Sequence, residues 1–153
     1  MTGGANNPIV YEDDYDYEIG KAITLREGKD VTIIASGTMV YKSLETSRLL
    51  NEKGISSKVV NMHTIKPLDK EAVTKASDTT SLLVTIEEHS IIGGLGSAVS
   101  QHLVTLNKSP HLEIIGLPDE YGDAGSYDDL LEQRGLTIDS LTKKIEKKFT
   151  DNH

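Results

Sequence analysis

Short runs of apolar and β-branched residues recur along the chain and predict the strands of a sheet. Four near-continuous runs lie at 31–36, 58–62, 82–87 and 112–116. Continuous apolar character is typical of strands that are buried on both faces of a parallel sheet. A fifth run, 22–26, alternates apolar and polar residues. This alternation predicts an edge or antiparallel strand.

Helical spacing of apolar residues fills the segments between these runs. The predicted helices cover 39–53, 70–77, 95–106, a short stretch after Ser126 and a last stretch after Thr137. The candidate caps are Asp69, Ser126 and Thr137 before helices, and Gly54 and Gly135 after them. The order of elements predicts an α/β fold with three layers, α/β/α. Its mostly parallel sheet has about five strands, one of them an antiparallel edge strand.

The predicted organisation is a single domain with short ends. A chain of 153 residues is long enough for one ordinary core. We assign residues 17–149 to the α/β domain, residues 1–16 to an N-terminal lead or linker, and residues 150–153 to a tail.

Polar residues and glycines gather where the predicted parallel strands end, most densely in 84-VTIEEHSIIGGLGSAV-99. In open parallel sheets, the carboxyl ends of the strands form one edge, where ligands usually bind. The candidate residues for an interface or strand-end site are His63, Glu87, Glu88, His89, Gly93, Gly94, Gly96 and Asp119.

The glycine-rich turn 93-GGLG-96 has two interpretations. A strand, a glycine turn and a helix can hold a phosphate on the amides of the helix N-terminus. However, the turn lacks the third glycine of G-x-G-x-x-G, and no Lys-Ser or Lys-Thr follows it as in a P-loop. Glycine also lets a helix pack closely against a sheet. We favour this structural interpretation over anion binding.

Glu87, Glu88 and His89 permit either acid–base chemistry or a structural role. His89 is a candidate general acid or base. Adjacent residues of a strand point to opposite faces, so the two carboxylates need not share one site. Polar residues at strand ends commonly serve as capping and interface groups, and we favour that role. We assign no residue as catalytic, cofactor-binding or metal-binding.

The composition excludes several classes of function. The chain has no cysteine, which rules out disulfides, thiolate catalysis and cysteine-bound metals. Its five histidines form no H-E-x-x-H motif, and no G-x-S-x-G elbow is present. A net charge of −8 disfavours a nucleic-acid partner. No apolar run reaches the roughly 18 residues that span a bilayer, and we expect a cytoplasmic protein without membrane contact.

Four blocks of the chain, in order, closely resemble the C-terminal domain of transketolase. They are 17-YEIGKAITLREGKDVTIIASG-37, 60-VNMHTIKPLD-69, 84-VTIEEHSIIGGLGSAV-99 and 115-IGLPDEYGDAGSYDDLLEQRGL-136. The resemblance covers roughly residues 8–148. A related domain occurs in 1-deoxyxylulose-5-phosphate synthase and in the β subunit of 2-oxo acid dehydrogenase E1. The last block favours transketolase, because the E1 β subunit usually lacks it.

The resemblance implies that this chain is one part of a larger enzyme of pentose phosphate metabolism. Transketolases transfer a two-carbon ketol unit between sugar phosphates with the help of thiamine diphosphate and Mg²⁺. In that family, two other domains hold the cofactor, one of them through a G-D-G motif. Gly122-Asp123-Ala124 does not match this motif. The resemblance therefore implies that this chain binds no cofactor and is inactive alone.

The implied role is support of dimer and interdomain assembly. The expected partners are the thiamine-diphosphate-binding domains, on the same or a separate chain, and further copies in a homo-oligomer. Glu88 and His89 are expected to form hydrogen bonds across such an interface. The alternatives are a stand-alone nucleotide- or anion-binding or regulatory module, and the equivalent domain of deoxyxylulose-phosphate synthase or E1 β.

Overall fold

Five strands form one mixed sheet in the order β1-β3-β2-β4-β5. The computed structural model describes residues 8–11, 15–120 and 125–152. The strands are β1 (Ile23–Arg26), β2 (Val31–Ala35), β3 (Ser57–Asn61), β4 (Leu82–Ser90) and β5 (His111–Leu117). β1 pairs antiparallel with β3, and the other neighbouring strands are parallel. The predicted α/β fold with one antiparallel edge strand is confirmed.

Helices cover both faces of this sheet. They are α1 (Met39–Glu52), α2 (Lys70–Thr79), α3 (Leu95–Leu103), α4 (Tyr127–Gln133) and α5 (Ile138–Asp151). Side chains of α1, α4 and α5 share one core cluster with Ile33 and Val84. Side chains of α2 and α3 share a second cluster with Ile34 and Leu83. Because successive strand residues point to opposite faces, β2 and β4 contribute to both clusters and are buried on both sides.

The predicted caps mark the helix ends. Asp69, Ser126 and Thr137 each accept a hydrogen bond from the backbone N–H three residues later, at the beginnings of α2, α4 and α5. Gly54 follows α1 with a φ of 82°, and Gly135 follows α4 with a φ of 67°. This left-handed conformation strains other residues, which explains a glycine after each helix.

Two element boundaries differ from the sequence-based expectation by three residues, and the other differences are smaller. α3 ends at Leu103, although its apolar spacing continues to Leu106. Leu106 packs against the second core cluster from a turn, closed by the hydrogen bond from its N–H to the Leu103 carbonyl at 3.0 Å. β4 continues to Ser90, which pairs with Leu117 beyond a register irregularity. Glu87, Glu88 and His89 therefore lie within β4 and not in the connection that follows it.

The connections after β2 and β4 leave these neighbouring strands in opposite directions. The chain leaves β2 through α1 to reach β3, and it leaves β4 through α3 to reach β5. α1 and α3 pack on opposite faces of the sheet. Such a topological switch point leaves a crevice outside the carboxyl ends of the two strands.

Candidate functional site at the carboxyl edge of the sheet

A cleft of about 380 Å³ opens at this switch point, and we call it the switch-point cleft. Five of the eight residues proposed from the sequence line it: Glu87, Glu88, His89, Gly93 and Gly94. The rest of its wall comes from the segment 36–38, which follows β2, and from Ile65. The ends of β2 and β4 thus bring one acidic segment and one glycine turn together.

The other three proposed residues lie beside this cleft. His63 lines a neighbouring cleft of about 270 Å³, and Asp119 lines another of about 360 Å³. Gly96 lies in the first turn of α3. The three clefts are contiguous, because Thr38 lines the first and the second, and Glu88 lines the first and the third.

The carboxylate of Glu87 binds the N-terminus of α3. It accepts the backbone N–H groups of Leu95 at 2.8 Å and of Gly96 at 2.9 Å, and the residue is only 2 % exposed. The first amides of a helix have no partner within the helix, and a negative charge is favourable there. Glu87 therefore occupies the position that a bound phosphate takes in an anion site. This contact supports the structural interpretation of the glycine turn.

The glycines of the turn are needed for different reasons. A Cβ atom on Gly94 would overlap the carboxylate of Glu87, and a Cβ atom on Gly96 would overlap the side chain of Ile114. Gly93 has open space around it, but its φ of 78° lies in the left-handed region. Gly94 and Gly96 allow close packing of α3 on β4 and β5, and Gly93 allows the turn itself.

Glu88 points to the opposite face from Glu87, as the strand alternation requires. Its Oε2 atom accepts hydrogen bonds from the hydroxyl of Thr38 at 2.5 Å and from the hydroxyl of Tyr127 at 2.6 Å. These bonds join the ends of β2 and β4 to the beginning of α4. Burial, together with the hydrogen bond to Glu88, raises the pKa of Tyr127 to about 12.

The two histidines proposed for the site, His63 and His89, are not paired with a carboxylate in the described part of the chain. His89 is exposed, and its Nδ1 lies 3.3 Å from the backbone oxygen of Ser90. The Nδ1 of His63 lies 2.9 Å from the hydroxyl of Thr64, and its ring packs against Tyr17 with 4.4 Å between ring centroids. Among the described residues, neither of these histidines thus forms an acid–base pair with a carboxylate at this edge.

Two further features are absent from the described ranges. Among those residues, no group of three or more histidine, aspartate or glutamate side chains is placed to hold a metal ion. No described helix is both long and apolar enough to cross a membrane.

Sequence reasoning missed Thr38, Ile65 and Tyr127 as parts of the site. Thr38 comes two residues after the predicted strand 31–36, so its position near the strand end was a usable signal. Tyr127 is 39 residues from Glu88, and no local pattern relates the two. Ile65 reaches the cleft from the loop between β3 and α2.

The hydrogen bond between Tyr127 and Glu88 can be tested by titration. One of the six tyrosines is expected to ionise with a pKa of about 12, and Tyr127→Phe is expected to remove that step. The unfolded state has the ordinary pKa of 10.0, so the folded state holds the proton more strongly. The free energy of unfolding should therefore fall as the pH rises from 10 towards 12.

Tyrosinate absorbance is the measurement, with Tyr17→Phe as the control that leaves the late step in place. An unchanged late step in Tyr127→Phe would show that another tyrosine is responsible.

Comparison with known proteins places this geometry in a family context. Residues 20–141 match the family described as transketolase, C-terminal domain. One of the subunits of apulose-4-phosphate transketolase from Phocaeicola vulgatus is 43 % identical over 143 residues, which are 92 % of this chain and 45 % of that protein. 1-Deoxy-D-xylulose-5-phosphate synthase from Chlorobium phaeovibrioides is 41 % identical over 133 residues, 87 % of this chain and 21 % of that protein.

Among solved structures, a split-gene transketolase described as an inactive β4 tetramer superposes with a TM-score of 0.84 at 39 % identity. The aligned part covers 95 % of this chain and 47 % of that chain. This chain therefore spans less than half the length of each of these three proteins.

Proposed function

This chain belongs to the transketolase C-terminal domain family, and we propose that it is the assembly domain of a cytoplasmic enzyme that transfers a two-carbon ketol unit between sugar phosphates. Its partners are the thiamine-diphosphate-binding domains, on the same or a separate chain. It supports their dimeric and interdomain arrangement and is inactive without them. The family membership carries this proposal, since it accounts for residues 20–141 as one domain.

The geometry of the switch-point cleft supports a structural role for this chain. Thiamine diphosphate does not fit there, because Glu87 already occupies the amides of α3 and Glu88 adds a second carboxylate to the wall. No lysine or arginine of the described residues lines that cleft to neutralise a diphosphate. The polar groups of the edge are instead used to join β2, β4, α3 and α4.

Exposed apolar side chains around the same edge support a docking surface. Ile65 is 36 % exposed and lines the cleft, and Ile92 is 63 % exposed in the turn between β4 and α3. Tyr17, which packs on His63, is 59 % exposed. Apolar side chains grouped at one edge are typical of a surface that another domain covers.

The names of the relatives support a division of labour between chains. The P. vulgatus relative is one subunit of its transketolase, and the split-gene structure is described as inactive. These statements concern those proteins, and both are consistent with a domain that acts only with partners. The equivalent domain of deoxyxylulose-phosphate synthase is the second candidate, because the C. phaeovibrioides synthase is 41 % identical.

Complementation tests the proposal. This chain is titrated into a protein that carries only the two thiamine-diphosphate-binding domains, and the mixture is assayed for ketol transfer and for deoxyxylulose-phosphate synthesis. We expect ketol transfer to rise with added chain and then to saturate, because the activity stops rising once every partner protein has bound this chain. Bovine serum albumin at equal concentration controls for nonspecific protein stabilisation.

Two results would contradict the proposal. Synthase activity without ketol transfer would favour the second candidate. If the mixture shows neither activity and the two proteins do not associate, a separate binding or regulatory module becomes the better explanation.

A further inference from the structure

The described residues use the two oxygens of the Glu88 carboxylate differently. The hydroxyls of Thr38 and Tyr127 both donate to Oε2, whereas Oε1 has no hydrogen-bond partner among the described residues. Glu88 is half-buried and lines the switch-point cleft. The two hydroxyls are neutral, so they orient the carboxylate without balancing its charge. A partly desolvated carboxylate of this kind binds strongly to a cationic hydrogen-bond donor.

The switch-point cleft has the opposite polarity from a phosphate cradle. Its helix amides are already bound by Glu87, and its own described lining residues include no lysine or arginine. Arg134 lines the adjoining cleft together with Glu88, but it forms an ion pair with Glu120, at 3.6 Å. An anion entering the cleft would meet the Glu88 charge and find no free amide of the first turn at Leu95 or Gly96. The complementary group is a cation.

The rim of the cleft indicates a protein partner and not a small cation. Ile65 contributes to the wall, and Ile92, which directly precedes the lining residue Gly93 in the chain, is 63 % exposed. A charged contact surrounded by apolar side chains is protected from water when a protein surface covers it. A small cation would leave Ile92 exposed. A second copy of this chain is disfavoured, because each copy carries a net charge of −8.

Residues 8–11 lie along this same edge. Val10 and Thr38 both line the cleft that adjoins the switch-point cleft, and the hydroxyl of Tyr11 accepts a hydrogen bond from Asn61 Nδ2 at 2.6 Å. The segment precedes the family match, which begins at residue 20. A domain docked at the switch-point cleft therefore also lies beside residues 8–11.

We propose that the switch-point cleft receives a basic side chain, lysine or arginine, from the thiamine-diphosphate-binding domains, and that Glu88 is its acceptor. The inference rests on the proposed function, because it takes those domains as the partner. The cationic N–H group donates to Oε1 of Glu88, and the aliphatic part of the side chain packs against Ile65. Thr38 and Tyr127 hold the carboxylate in the receiving orientation.

The test measures binding between the full chain and the thiamine-diphosphate-binding domains by calorimetry at several salt concentrations. Glu88→Gln keeps the shape of the side chain and an oxygen for both hydroxyls, but it removes the charge. We expect the Kd to rise roughly tenfold at low salt, and the dependence of the Kd on salt to become shallower.

A matched control is Glu52→Gln, in the last turn of α1. α1 begins beside the switch-point cleft, so its last turn lies at the opposite edge of the sheet. This variant has the same change in net charge, and we expect neither the Kd nor its salt dependence to change. Ile92→Ser, at an exposed position, is expected to weaken binding without altering the salt dependence.

The outcomes separate this inference from the proposed function. If the unmodified chain and Glu52→Gln bind the domains, and Glu88→Gln binds them with the same Kd and salt dependence, the basic side chain is not received by Glu88 and the proposed function stands. If the unmodified chain does not bind the domains at all, the proposed function fails and this inference fails with it.

Discussion

Glu87→Ala is expected to lower the free energy of unfolding by about 3 kcal/mol, because it leaves two buried helix amides without an acceptor. The carboxylate accepts both Leu95 and Gly96 N–H groups, and little water reaches a residue that is 2 % exposed. The negative charge at the positive end of α3 is lost as well. Urea denaturation, followed by circular dichroism and extrapolated to zero denaturant, measures the difference.

The adjacent glutamate provides the matched control for this change. Glu88→Ala removes an identical side chain from the next position, but the partners of Glu88 are two hydroxyls beside an open cleft. After the substitution, these hydroxyls can form hydrogen bonds with water instead. We expect Glu88→Ala to cost about 1 kcal/mol or less. Equal losses for the two variants would contradict the distinct roles of these carboxylates.

Gly94→Ala is expected to cost about 2–3 kcal/mol, because its methyl group would occupy the space of the Glu87 carboxylate. Glu87 would have to move away, and its hydrogen bonds to the start of α3 would be lost with it. The same urea experiment measures this loss. Gly125→Ala is the control, since the nearest atom to its added methyl group is 3.7 Å away.

The double variant gives a sharper test of this steric coupling. With Glu87 already replaced by alanine, the carboxylate no longer fills the space beside Gly94. Gly94→Ala should then add less than about 1 kcal/mol, so the two losses are far from additive. Additive losses would show that Gly94 is required for a reason unrelated to Glu87.

Local signals account for the correctly predicted parts of the fold. β2 and β4 are buried on both faces, so their sequences are almost continuously apolar and stand out without any tertiary information. The helix ends were recognisable for a similar reason, because each cap acts within three or four residues of itself. The family resemblance, which rested on four blocks in order, is confirmed by the match over residues 20–141.

Local signals failed where tertiary contacts extend or shorten an element. Leu106 continues the apolar spacing of α3, but it reaches the core from a turn that follows the helix. Ser90 belongs to β4 because Leu117 of the neighbouring strand pairs with it. A pattern of apolar positions records burial, and burial does not require the helix or strand to continue.

The sequence by itself determined the order of the elements, most of their caps, the family, and the concentration of polar residues at one edge of the sheet. The element order, the caps and the polar edge follow from interactions between residues close in the chain or from the burial of whole strands. The family came from the resemblance of four sequence blocks. The sequence also placed Glu87 and Glu88 on opposite faces, through the alternation of a strand.

Only the tertiary structure decided what each of these two carboxylates does. Glu87 meets the amides of α3 because glycines allow that helix to approach the strand closely. Glu88 meets Thr38 and Tyr127, which are 50 and 39 residues away in the chain. The partners of a side chain depend on where distant backbone segments lie, and packing of the whole domain sets those positions. Glu87 therefore stabilises the fold, while Glu88 keeps one oxygen without a hydrogen-bond partner among the described residues, at the wall of the switch-point cleft.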